Sequence, residues 1–95
     1  MVDKQQFSSV WDAIEDTPEE AENMKLRSQL MMDLKKHLSK TELTQADAAK
    51  ILGVTQPRIS DLMRGKIHLF TIDTLVNMIA KAGLHVEVRT IEAVT

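Results

Sequence analysis

Gln56, Arg58, Asp61 and Arg64 stand within nine residues of one another, with Thr55 just before them and Lys66 just after. Amide, guanidinium, carboxylate and hydroxyl groups at this density suit hydrogen bonding to base edges or phosphates better than they suit catalysis. A glutamine amide can bond adenine N6 and N7 together, and an arginine can bond guanine O6 and N7 or a phosphate. Catalytic chemistry has no comparable grouping. His37, His68 and His85 have no ligand spacing, Ser60 has no base nearby in sequence, and no glycine loop could cradle a phosphate. With no cysteine in 95 residues, a thiolate nucleophile, thiolate metal ligation and disulfides are all excluded. No catalytic residue, metal site or cofactor is expected.

The polar side chains need an element that holds them together on one face. From Gln45 to Arg64 the chain reads QADAAKILGVTQPRISDLMR, which gives two short helices and a tight turn at Gly53 and Val54. Thr44 caps the first helix and Asp47 returns the bond; Thr55 caps the second, whose Pro57 falls in the first turn, where backbone N–H groups lack helical partners. Ala46, Ala49, Ile51 and Leu52 are expected on the inner side of the first helix. Ala49 is small where the second helix crosses, and Ile59 packs the second onto the first with Ala48, Val54 and Leu62. A pair crossing at ~90 to 120° is a helix-turn-helix, which projects its second helix toward a major groove.

On this geometry Gln56, Pro57, Arg58 and Asp61 are the expected base-reading residues, with Gln56 nearest the groove floor. Thr44, Gln45 and Thr55, at helix N-termini, and Arg64 and Lys66, as mobile cations, are the expected phosphate contacts.

The flanking elements are equally punctuated. Phe7, Val10, Trp11 and Ile14 form one face of a short helix. Thr17, Pro18 and Glu20 start a long helix expected to run to about Leu38, with Leu30, Met31, Leu34 and Leu38 buried. Lys35, Lys36 and Lys40 near its end are either a solvated face or phosphate contacts. Thr71 caps a last helix from Ile72 to Ala82, with Leu75, Ile79 and Ala82 inward and Gly83 as its stop. Leu84, Val86 and Val88 then alternate with His85, Glu87 and Arg89, the period of a half-buried β-strand. Its edge must pair with a second subunit, with another segment of this chain, or with a different protein.

The composition is 43% hydrophobic but only 3% aromatic, which favours a mainly α class. The net charge of -2 conceals a segregation: residues 1–24 carry seven acids against Lys4, whereas residues 25–85 carry ten bases against five acids. Three segments are therefore expected: an acidic arm over 1–24 with a short amphipathic helix, a DNA-binding domain over 25–84, and a strand and tail over 85–95. The large apolar Phe7 and Trp11 are candidate partner contacts. No apolar run approaches the ~20 residues of a membrane span and no basic leader opens the chain, so a cytoplasmic protein with no membrane partner is expected.

The segments LTQADAAKILGVTQPRISDLMRGK and FTIDTLVNMIAKAG resemble the Cro and phage-repressor class of helix-turn-helix proteins, the XRE family. That resemblance implies a lambda-repressor-like bundle of about five helices, to which the C-terminal strand would be added. It also implies base reading at Gln56, Pro57 and Arg58, and a phosphate contact at Gln45. Pro57 departs from the polar residue often found there and suits a thymine methyl instead. The extension WDAIEDTPEEAENMKLRSQLM and the closing LHVEVRTI are most similar to HigA-like antitoxins. Those antitoxins bind a RelE-like ribonuclease toxin and, as dimers, repress their own promoter. The implied partners are a palindromic operator in double-stranded DNA, a second copy of the chain and such a toxin. A plain regulator without a toxin, or a module that neutralises a basic partner without reading DNA, remain as alternatives.

Overall fold

Thr17 begins the longest element of the protein. Its hydroxyl accepts from the Glu20 N–H at 3.1 Å, and Pro18 occupies the first helical turn, where no backbone donor is missed. The computed structural model describes residues 10–15 and 17–93. Within these, α1 covers residues 10–14, α2 Pro18–Ser39, α3 Gln45–Leu52, α4 Gln56–Met63 and α5 Ile72–Lys81, with a single 3-10 turn at Ile67–Leu69 between α4 and α5. Each of α3, α4 and α5 opens on a threonine whose hydroxyl accepts from the N–H three residues on. These caps satisfy donors that a helix start otherwise leaves open, and they make the helix boundaries sharp.

The core is one cluster. Leu30, Met31 and Leu34 of α2, Ala48, Ala49 and Leu52 of α3, Ile59 and Leu62 of α4, and Leu75, Met78 and Ile79 of α5 form it together with Phe70. α2 packs chiefly along α5, while α3 and α4 pack on each other, α3 also touching α5 and α4 touching α2. Two positions depart from the expected pattern. Ala46 is exposed and Ile51 is 49% exposed, because α3 turns Ala48, Ala49 and Leu52 inward. On a helix of eight residues the apolar positions allow more than one phase, and contact with α4 selects the one in which the alanines face in. At the other end of α2, Ala21 and Met24 are buried well before the expected stripe begins at Leu30.

Phe7 lies outside the described residues. Of its expected companions, Val10 and Ile14 are exposed, and Trp11 is half-buried with its indole N–H unpartnered among the described residues. α1 is tied to α2 by Lys25, whose Nζ lies 3.0 Å from Asp12 and 3.4 Å from Glu22. The Asp12 hydrogen bond raises the Lys25 pKa above its ordinary value against a partial opposing effect of burial, and Glu22 adds to the rise. The stabilisation is therefore complete at neutral pH and is lost only as alkaline pH removes the ammonium proton. Because Asp12 and Glu22 are both exposed to solvent, Lys25→Met should cost under about 1 kcal/mol of global stability. The same change should speed amide exchange in residues 10–15 far more than in the middle of α2; equal acceleration in both would place the pair in the global fold instead.

The expected C-terminal β-strand is not formed among the described residues. After Gly83, with a φ of 87°, and a hydrogen bond from the Leu84 N–H to the Ile79 carbonyl, residues 84–93 have no regular structure. The period-two pattern survives in burial, since Leu84 and Val86 rest on the core while His85 and Glu87 face solvent. A strand requires a hydrogen-bonded neighbour, and no described segment of this single chain supplies one. None of the described helices is long and apolar enough to cross a membrane.

Candidate nucleic-acid interface

The turn between α3 and α4 fixes the angle at which α4 is presented. Gly53 adopts a φ of 70°, a left-handed conformation that side-chain-bearing residues rarely take, and the Val54 N–H closes the turn on the Ala49 carbonyl at 3.0 Å. Ala49 and Ala48 are buried, so α4 lies close against α3 through Ile59 and Leu62, which are almost completely hidden. That burial consumes one face of α4. Its opposite face and its N-terminal end carry exposed Gln56, Pro57 and Arg64, with Asp61 and Arg58 partly covered.

Thr55, Gln56 and Pro57 form the outermost tip. The Thr55 hydroxyl accepts from the Arg58 N–H at 3.3 Å, leaving its own proton to donate outward. Thr44 is arranged in the same way: its hydroxyl accepts from the Asp47 N–H at 3.1 Å, and the Asp47 carboxylate accepts in return from the Thr44 N–H. Thr44 and the adjacent Gln45 are exposed at the start of α3. Both helix starts thus combine a free hydroxyl proton with the positive end of a helix, the combination that suits an anion.

Arg58 does not project freely. Its guanidinium lies over the Phe70 ring, 4.2 Å from the centroid, and Phe70 is 0% exposed. A cation–π contact uses none of the guanidinium N–H groups as conventional hydrogen-bond donors to another polar atom, so Arg58 is restrained by Phe70 while its donors remain available. Asp61 is also held, by Lys66 at 3.5 Å. Gly65, with a φ of 73°, turns the chain back so that the Lys66 N–H bonds the Asp61 carbonyl at 3.1 Å, which brings the two side chains together. A residue read as a base contact and one read as a phosphate contact are therefore partners of each other in the free protein.

Two features of this surface, the bed under Arg58 and the reach of Lys81, escape a reading of residue types. Phe70, outside every α-helix, forms the bed for Arg58; its only sequence signal is an aromatic residue immediately before the Thr71 cap. Lysines from the body also approach. A Cβ placed on Gly65 would lie 3.7 Å from Lys35 Nζ, and one on Gly53 would meet Lys81 Nζ at 2.5 Å. Lys35 thus joins Arg64 and Lys66 at the end of α4, and Lys81 reaches the turn between the helices. Trp11, the described member of the expected partner pair, belongs to α1 and not to this surface.

Residues 13–91 match the family model described as a helix-turn-helix domain. The chain is also similar to a solved structure provisionally assigned as an XRE family transcriptional regulator. The two are 27% identical with a TM-score of 0.70, over 77% of this chain and 82% of the other. No curated protein matches the chain.

Proposed function

We propose a function from one premise: this chain belongs to the helix-turn-helix domain family. It is a DNA-binding transcriptional regulator of XRE type, with α4 as the helix that enters the major groove. The observation that carries this reading is the division of α4 between a face buried on α3 through Ile59 and Leu62 and an exposed N-terminal end at Gln56 and Pro57. Gln56, Pro57, Arg58 and Asp61 read bases. Thr44, Gln45, Thr55, Arg64 and Lys66 hold phosphates and set the register. The regulator acts as a homodimer on a palindromic operator with half-sites ~34 Å apart, and represses its own promoter.

Within this reading residues 25–84 bind DNA, while the acidic 1–24 arm serves a second partner. Exposed Val10 and Ile14 beside Glu15, Glu19 and Glu20 favour a basic protein surface, as a RelE-like ribonuclease toxin would offer. The antitoxin role thus adds to DNA binding and does not compete with it.

The test is binding to the DNA upstream of the protein's own coding sequence across a salt series, with a random duplex as control. A regulator of its own promoter binds that DNA at least about a thousandfold more tightly than the control, with affinity falling steeply as salt rises. Equal binding to both duplexes would sink the sequence-specific reading and leave the protein-binding arm as the leading function.

A further inference from the structure

Residues 84–93 run on from α5 with no strand paired to them among the described residues. Beyond the bond from the Leu84 N–H to Ile79, no backbone group of residues 85–93 takes a backbone partner among the described residues. The apolar row that starts with Leu84 and Val86 on the core continues into solvent at Val88, 62% exposed, while Ile91, 73% exposed, falls on the opposite face of an extended chain. A groove runs between this segment and α2, bordered by Leu26, Gln29, Val88 and Ile91. Open backbone groups together with exposed β-branched residues are the requirements of a strand awaiting its pair.

We infer that residues 84–92 of two copies pair as an antiparallel ribbon about a two-fold axis through Val88, an inference that rests on the dimeric reading above. Symmetry restricts the choices. Directly opposed residues of a ribbon point to the same face, and Leu84 and Val86 of each copy must face that copy's own core. A two-fold axis perpendicular to the ribbon meets both conditions only if it passes through a residue. An axis at residue 87 would oppose Glu87 to the partner's Glu87, and one at residue 89 would oppose Arg89 to the partner's Arg89; both are repulsive.

An axis at Val88 opposes Glu87 to the partner's Arg89 and Arg89 to the partner's Glu87. It also sets Val88 on the partner's Val88 and Val86 on the partner's Thr90. An axis at Val86 would instead oppose His85 to the partner's Glu87, a pair that is ionic only when the imidazole is protonated. That axis would also oppose Arg89 to the partner's Gly83 and leave residues 90–93 without a neighbour. The charge pattern of HVEVR therefore selects Val88 and selects a second copy of this chain, since the sequence complements its own reverse. Among the described residues Glu87 has only the distant His85, at 4.0 Å, as an ionic partner, and Arg89 is exposed.

The absence of cysteine makes single-cysteine variants of the full chain unambiguous. Val88→Cys should form a covalent dimer under mild oxidation, because directly opposed Cβ atoms lie about 4.5–5.5 Å apart, close enough for a small adjustment to bridge them. Val86→Cys should not, since it would lie about 13 Å from its mate along the ribbon. Glu87→Arg should weaken the dimer about tenfold in sedimentation equilibrium, and adding Arg89→Glu should restore it. Cross-linking through position 86 in place of 88 would overturn the register. A dimer that neither cysteine traps would overturn the ribbon while leaving the dimeric reading intact. A monomer at every concentration would overturn both.

Discussion

Phe70→Ala should unfold at a far lower denaturant concentration than the native protein, having lost about 3–5 kcal/mol of stability. Phe70 is fully buried and belongs to the core cluster to which α2, α3, α4 and α5 all contribute. A domain of this size holds a total of about 5–15 kcal/mol, so the variant should be partly unfolded at ambient temperature. A loss below about 1 kcal/mol would show that the residues around Phe70 collapse into the space it leaves. The milder Phe70→Leu keeps most of the volume and removes the aromatic face. Combined with Arg58→Ala in a double-mutant cycle, it should expose a coupling of about 0.5–2 kcal/mol from the stacked pair. Additive losses would mean that the 4.2 Å approach of Arg58 carries no energy of its own.

The second large effect concerns recognition. Gln56→Ala should reduce the preference of the protein for its own operator over a duplex changed at one base pair by about 1–3 kcal/mol, or roughly 5- to 150-fold. Its stability should hardly change, because Gln56 is exposed at the tip of α4 and packs on nothing in the core. Arg64→Ala should weaken all duplexes alike and reduce the salt dependence by about one released counterion. A uniform loss from Gln56→Ala would move that residue to the positioning class. A sequence-dependent loss from Arg64→Ala would bring that residue into the groove.

The caps made the helices legible. Thr17, Thr44, Thr55 and Thr71 each announce a start by their type and by the residues just downstream, and all four accept the expected bond in the structure. The pairing of α3 with α4 was equally legible, because Ala49, Gly53 and Ile59 satisfy separate steric demands at fixed spacing. What failed to show was the consequence of contacts between distant elements. Ile51 could not be placed on the outer side until α4 fixed the phase of α3. Phe70 belongs to no periodic pattern, so neither its burial nor its contact with Arg58 leaves a trace in spacing. The alternation after Gly83 was visible, and the burial of Leu84 and Val86 follows it, but the hydrogen bonds that would make a strand depend on a neighbour that a single sequence does not contain.

The way α4 divides its residues bears on how such a protein changes over generations. Gln56 and Pro57 contribute to the surface without supporting the core, so under the base-reading role proposed for them, change at those two positions should retarget the regulator to a new promoter while the fold remains as stable as before. Ile59 and Leu62 have the opposite character and are free to vary only within the volume they fill. Arg58 belongs to both groups, since it carries a charge at the surface while its guanidinium lies over Phe70. A lineage that acquires a new operator should therefore diverge first at Gln56 and Pro57, and should exchange Arg58 only together with Phe70.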